Sequence, residues 1–144
     1  MKYKTEWISQ NDVERQWYVV DVKDQILGRV STKIAELLMG KNKTNYVPNI
    51  DCGDYVIVVN ASKVKLTRGK ELKKFYYTHS GFPGGLKVTR FDEMMKKNPD
   101  YIIRQAVKRM LPQNKLKDPR MARVYVYDGA EHNNQAQKPV EVKL

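Results

Sequence analysis

The strongest constraint on the fold lies between Trp17 and Asn60, where an apolar run, a helical pattern and a second apolar run follow one another. Trp17-Tyr18-Val19-Val20-Asp21-Val22 is aromatic and β-branched with nearly continuous apolar character, the pattern of a central strand covered on both faces. Lys23-Asp24-Gln25 reads as a turn. Leu27, Val30, Ile34, Leu37 and Leu38 then recur at helical spacing, with Arg29, Lys33 and Glu36 on the opposite face. Gly40 stops this helix as the residue just past its end. After a loop over 41–54, Tyr55-Val56-Ile57-Val58-Val59 reads as a second buried strand, ended by Asn60. Strand, helix and strand in this order connect right-handed and parallel in nearly all known cases. A chain carrying this unit therefore belongs to the α/β class.

The later elements are less sharply written. Lys74-Phe75-Tyr76-Tyr77-Thr78 reads as a third strand, but its connection from Asn60 carries no long helix, which leaves its pairing open. Gly81-Phe82-Pro83-Gly84-Gly85 reads as a flexible loop. Thr89-Arg90-Phe91-Asp92 matches a capping box, with Phe91, Met94 and Met95 on the buried side of the helix it would open. Asn98-Pro99 ends that helix and starts another. In this second helix Ile103, Ala106, Val107 and Met110 are expected inside, and Arg104 and Lys108 outside. Residues 113–123 read as a basic loop, and Val124-Tyr125-Val126-Tyr127 as a fourth strand closed by the Asp128-Gly129 turn. The expected architecture is an open, mostly parallel sheet of about four strands with helices on both faces. It forms one domain over 17–129, with an extended arm (1–16, Trp7 and Ile8 its only sizeable apolar pair) and an extended tail (130–144).

Charge says more about partners than about fold. The formal net charge is +11, and it is patterned. The stretch 63–90 holds eight basic residues (Lys63, Lys65, Arg68, Lys70, Lys73, Lys74, Lys87, Arg90) against Glu71 alone, a net +7. Two tyrosines, His79 and four glycines are interleaved with them. Residues 104–123 hold Arg104, Lys108, Arg109, Lys115, Lys117, Arg120 and Arg123 against Asp118, a net +6. Cations attract phosphates, aromatic faces stack on bases and glycines permit close backbone approach, so the preferred partner is nucleic acid, with an anionic membrane second. Arg104 and Lys108, like charges four apart on a helix, repel unless an anion lies between them. Tyr76 and Tyr77 point to opposite faces of a strand, so at most one of them meets RNA while the other packs. Hydrophobic content of 41% with 30% charged residues argues for a thin core and a large partner-facing surface.

Enzyme signatures are missing. The 81–85 loop lacks the Gly-Lys-Ser/Thr ending of a nucleotide P-loop, and the 23–28 turn has one glycine where a dinucleotide fingerprint needs three. No Gly-x-Ser-x-Gly elbow occurs. His79, His132 and Cys52 make at most an incomplete zinc site, so neither a metal nor a cofactor is expected. Asp51 and Asp54 suit loop and cap hydrogen bonding better than acid–base work. The rival reading is a small α/β enzyme acting on a nucleotide, with 81–85 as its phosphate site. A lone cysteine points to a reducing, intracellular setting. The segment after Met1-Lys2-Tyr3-Lys4 carries no apolar run of a signal peptide, and the longest apolar run, Tyr55–Val59, is too short to span a bilayer.

A set of short motifs runs through the chain in order. They are Leu27-Gly28-Arg29, Gly40-Lys41, Tyr46-x-Pro48, Asp51-x-Gly53-Asp54, Asn60-Ala61 with Lys63-Val64, Tyr76-Tyr77-x-His79 and Gly84-Gly85-x-Lys87. Val107-Lys108-Arg109-Met110-Leu111-Pro112 and Glu131-His132 complete the series. In this the chain resembles the bacterial large-subunit ribosomal protein family numbered thirteen. It departs from the family pattern at Arg109, where glycine is usual, at Asn42 and Asn49, often histidine, and in the segment 113–118, which has no glycine. The resemblance implies a three-layer fold around a four-stranded parallel sheet in the order 3-2-1-4. It also implies a structural, non-catalytic place in the large ribosomal subunit, contact with its rRNA and with neighbouring proteins, and a part in early assembly. No membrane and no small-molecule substrate are implied. The expected RNA contacts are Arg29, Lys33, Lys41, Lys43, Arg68, Lys70, Lys73, Lys74, Tyr76, His79, Gly84, Gly85, Lys87, Arg104, Lys108, Arg109, Lys115, Lys117, Arg120 and Arg123.

Overall fold

The computed structural model describes residues 8–142. Trp7 and the last two residues of the expected tail lie outside them. The elements in chain order are β1 (Trp17–Asp21), α1 (Leu27–Met39), β2 (Tyr55–Val59), α2 (Lys70–Lys73), β3 (Phe75–His79), β4 (Leu86–Arg90), α3 (Phe91–Lys97), α4 (Pro99–Met110), α5 (Lys117–Ala122), β5 (Val124–Val126) and β6 (Val140–Val142). The main sheet runs β5-β2-β1-β6, parallel at every pairing. Counted along the chain, this is the order 3-2-1-4.

The strands that fill the third and fourth places differ from those expected. β3, read as a sheet strand, instead pairs antiparallel with β4 in a separate two-stranded ribbon. The loop over 80–85 brings its ends together locally, with Ser80 N–H donating to the Gly85 carbonyl and Gly85 N–H to that of Phe82. A short local return costs less loop entropy than a crossover. This tight turn, with Gly84 at φ 72°, takes the place of the expected flexible loop. β5 becomes the third strand, and the tail supplies the fourth, with Val140 opposite Tyr18 and Val142 opposite Val20.

The first unit forms as its pattern requires. α1 buries Leu27, Val30, Ile34, Leu37 and Leu38, and Gly40 ends it in the left-handed conformation at φ 75°. β2 is sealed on both faces, with Val56, Ile57 and Val58 fully buried. α1 packs on α4, whose Ile102, Ile103 and Val107 enter the same core. Met110 does not join them and stays 48% exposed. The next residue, Leu111, turns in on extended backbone and takes the buried place. The capping box at 89–92 is also absent. Thr89 is held in β4 opposite Tyr76, so Arg90 precedes α3, without a side-chain cap. α4 starts where expected, with Pro99 in its first turn, and Asn98 Oδ1 caps it by accepting from Tyr101 N–H at 3.1 Å. The basic loop over 113–123 is partly helical, since α5 occupies its second half.

At the amino ends of the strands, two aspartates hold the sheet together. Asp51 receives a two-pronged bond from Arg123, both contacts 2.6 Å, and Arg120 Nε lies 3.4 Å from the same carboxylate. All three residues are buried. Arg120 and Arg123 were expected to touch RNA, but their guanidinium groups are committed inside. An arginine fork on a carboxylate is among the stronger protein hydrogen-bond arrangements. Asp54 accepts from Gln16 N–H at 2.9 Å and from Lys43 Nζ at 2.6 Å. Lys43 also donates to the carbonyls of Glu14 and Cys52, which removes it from the expected RNA contacts as well. Tyr55 N–H reaches the Gln16 carbonyl and Val56 N–H that of Arg123. The entries of β1, β2 and β5 are thus tied at one edge. Gly53 permits this closeness, because a Cβ there would overlap the Leu38 carbonyl.

Burial alone would raise the Asp51 pKa, but the Arg123 hydrogen bonds and charge, with help from Gly53 and Arg120, bring it below the ordinary aspartate value. A depressed carboxylate stabilises the fold above its unfolded pKa and loses that contribution as pH falls through the folded one. In urea unfolding, wild-type stability should therefore decline below about pH 4. Asp51→Asn should cost about 3–5 kcal/mol at neutral pH, because it leaves two buried guanidinium groups without a counter-charge. The variant's acid limb should be flatter than that of the wild type. Gly53→Ala should lower Tm, since its Cβ would meet both the Leu38 carbonyl and the Arg123 guanidinium.

Candidate nucleic-acid interface

The opposite edge of the sheet, at the carboxyl ends of the strands, is where the free cations gather. Open parallel sheets bind ligands at this edge, because helix first turns and connecting loops converge there. After β1 the chain passes Asp24, at φ 59°, and enters α1 at Leu27, whose N–H is held by the Lys65 carbonyl. That bond draws the segment after β2 alongside the first turn of α1. The C-terminal end of α4 closes the third side. A cleft of 420 Å³ lies between them, with Arg29, Lys70, Lys74 and Arg109 among its lining residues.

These four cations come from three stretches of sequence, and none forms an ion pair among the described residues. Their crowding shows in Lys74. Burial, then the Arg109 and Lys70 charges, lowers its ammonium below the ordinary lysine pKa. Lys74 Nζ also stands 5.3 Å from the centre of the Tyr76 ring. An anion entering the cleft would meet four cations without a partner, of which Lys74 is half-buried and Arg29, Lys70 and Arg109 are exposed, so the attraction is strongest at Lys74. Lys73 and Lys108, both exposed, flank the cleft in sequence, and Arg68 lies in the exposed turn before α2.

The other expected contacts divide by location. Lys87 and His79 are exposed on the β3–β4 ribbon, and Gly84 and Gly85 shape its turn. His79 Nδ1 accepts from Gly81 N–H at 2.9 Å, which leaves Nε2 as the donor of the neutral ring. Lys41 is exposed just past the far end of α1, about 18 Å from Arg29 at the helical rise per residue. Lys115 and Lys117 sit before and at the start of α5, Lys117 bonded to Gln113 at 2.6 Å. Lys33 is paired with Glu36 at 3.1 Å. Arg104 is paired with Asp100 at 2.6 Å, so a carboxylate four residues back already relieves its repulsion from Lys108.

Tyr76 was expected at the interface, and the structure buries it. Its ring meets Tyr101 edge-on at 5.8 Å, and burial pushes its phenol up to about 12. Tyr77 is the exposed member of the pair, at 65%. Strand alternation makes one of them face out, but only the docking of the ribbon on the core decides which. Phe75, Tyr77, Leu86 and Val88 share the ribbon's outer face, with Phe82 exposed in its turn. Sequence reading missed this apolar surface by placing β3 within the main sheet. It also missed Leu66 and Met110 in the cleft wall.

Among the described residues the chemistry-bearing side chains form no catalytic set. The 81–85 loop joins two antiparallel strands and not a strand to a helix, so it lacks the helix N-terminus that a nucleotide phosphate loop uses. Among the described residues no group of three or more His, Cys, Asp or Glu could hold a metal ion, and no helix is long and apolar enough to cross a membrane.

Comparison with known proteins places this geometry in a family. The family model described as Ribosomal protein L13 matches residues 15–133. The curated large ribosomal subunit protein uL13 of Thermotoga maritima is 52% identical over 141 residues, 98% of this chain and 95% of its own length. The protein of the same name from Kocuria rhizophila is 50% identical over 128 residues, 89% of this chain and 87% of its own. That from Staphylococcus aureus is 45% identical over 136 residues, 94% of each. With most of its length matched by the model and by these relatives, the chain belongs to the ribosomal protein L13 family.

Proposed function

We propose that this protein is a structural, non-catalytic constituent of the large ribosomal subunit. It binds large-subunit rRNA, contacts neighbouring ribosomal proteins and supports early assembly of the subunit in the cytoplasm. The observation that carries the RNA-binding reading is the cleft at the carboxyl edge, where four unpaired cations converge with no acid among its lining residues. The names of the relatives support the place in the large subunit. Arg29, Lys70, Lys73, Lys74, Lys108 and Arg109 form the centre of the RNA surface. Arg68, His79 and Lys87 extend it along the ribbon, and Lys41, Lys115 and Lys117 make outlying contacts. Recognition is of RNA shape and phosphate position, because folded RNA offers backbone and minor-groove hydroxyls more readily than base edges. The outward apolar face of the ribbon suits a neighbouring protein, since its aliphatic members bury well against protein and stack poorly on bases.

Filter binding with large-subunit rRNA should give log affinity falling linearly with log salt, with a slope set by the number of phosphates neutralised. A flat salt response would remove the RNA-binding reading. Arg29→Gln should reduce that slope by about one. Lys33→Gln should change it less, because the Lys33 charge is shared with Glu36. Arg120→Gln should lower Tm through the Asp51 cluster. Equal slopes for Arg29→Gln and wild type would move the interface away from the cleft.

A further inference from the structure

The cleft at the carboxyl edge has two kinds of lining, and a simple phosphate site would need only one. Its cations are Arg29 from the first turn of α1, Lys70 and Lys74 at the two ends of α2, and Arg109 from the last turn of α4. Its apolar wall includes Leu66, partly buried, and Met110, half exposed. At 420 Å³ it falls within the range of about 300–1,000 Å³ typical of small organic ligand sites. Methionine is unbranched and polarisable, which suits contact with a flat aromatic edge or face. Arginine guanidinium planes offer a stacking surface as well as charge. A continuous RNA helix keeps its bases stacked inside and would bring only phosphates to such a place.

We propose that this cleft receives one unstacked ribonucleotide of the rRNA, its phosphate held among Arg29, Lys70, Lys74 and Arg109 and its base laid against Leu66 and Met110. The inference rests on the RNA-binding reading above and adds the form of the ligand. Loops and bulges of folded RNA supply bases that are already unpaired, so little stacking is lost on entry. The phosphate, with its one negative charge, provides part of the counter-charge that the four cations lack and offsets some of the repulsion on Lys74 from Arg109 and Lys70. The base removes from water an apolar wall that the fold leaves open. A segment of a neighbouring protein is the rival occupant. Charge favours the nucleotide, because an RNA strand carries a phosphodiester of one negative charge at every residue, so flanking phosphates add to the one in the cleft, whereas a peptide carries a carboxylate only where its sequence has an acid.

The test uses the full chain and three probes: a single-stranded adenosine ribopentamer, a pentamer of the same phosphate backbone with every base removed, and inorganic phosphate. The 13C-labelled methyl of Met110 reports on the wall of the cleft. The base-bearing pentamer should bind about tenfold tighter than the abasic one and move the Met110 methyl upfield by its ring current. Inorganic phosphate should leave that methyl in place. Met110→Ala keeps every cation, so it should reduce the preference for bases while preserving affinity for the abasic pentamer. Arg109→Gln, at an exposed position, should weaken both pentamers. Equal affinities for the two pentamers with an unmoved methyl would overturn the proposal. Salt-dependent binding of folded rRNA in that case would leave the RNA-binding reading standing. An acidic, apolar peptide that shifts the methyl where the pentamer does not would also overturn it and assign the cleft to a protein partner.

Discussion

The buried ion cluster of Asp51 with Arg123 and Arg120 is the interaction on which the sheet depends. Its partners are 69 and 72 residues apart in the chain, so its formation closes a long loop. It fixes the turn before β2 against the residue that leads into β5, and Val56 N–H takes up the Arg123 carbonyl beside it. Arg15 Nη2 adds a contact to the Asp51 carbonyl at 3.3 Å, and Asp54 gathers Gln16 and Lys43. Desolvating such charges is expensive, and a well-packed apolar cluster would serve overall stability as well. What the cluster supplies is register. A carboxylate gripped by a planar fork tolerates little sliding, and a parallel sheet with short outer strands has few other means of fixing its pairings.

The two edges of the sheet use the same residue type for opposite ends. At the amino edge, Arg120 and Arg123 are buried and Lys43 is partly buried, and all three are bonded and structural. At the carboxyl edge, Arg29, Lys70, Lys74 and Arg109 are unpaired and partly or fully exposed, and they crowd one another enough to lower the Lys74 pKa. Cations assembled without counter-charge carry a repulsion that the fold must outweigh, and a polyanion removes it. Under the proposed function, rRNA would complete this cationic surface. The β3–β4 ribbon pairs with nothing but itself and leaves an apolar face in water.

Legibility varied with the range of the forces involved. β1, α1, Gly40 and β2 could be read from the sequence because each depends on local periodicity and on burial of whole elements. The strand at 74–78 was recognisable as a strand, yet its partner was not, since a tight turn and a crossover leave the same local pattern. The cationic windows were visible as windows. Which members were free was hidden, because Asp51 lies far in sequence from Arg120 and Arg123, and nothing local distinguishes those arginines from Arg109. Asp100 beside Arg104, and Glu36 beside Lys33, were within reach of helical spacing.

The sequence by itself determined the α/β class, the first strand-helix-strand unit, a cationic surface without enzymatic motifs, and the family. These follow from composition, from short-range periodicity and from short motifs, all of which are written consecutively along the chain. Tertiary structure alone decided which strands fill the third and fourth places, which tyrosine faces out, and which arginines are spent inside. It alone brought Arg29, Lys70, Lys74 and Arg109 to one cleft. Those outcomes depend on which distant segments become neighbours, and that is set by the competition between buried partners across the whole fold and not by any stretch of residues.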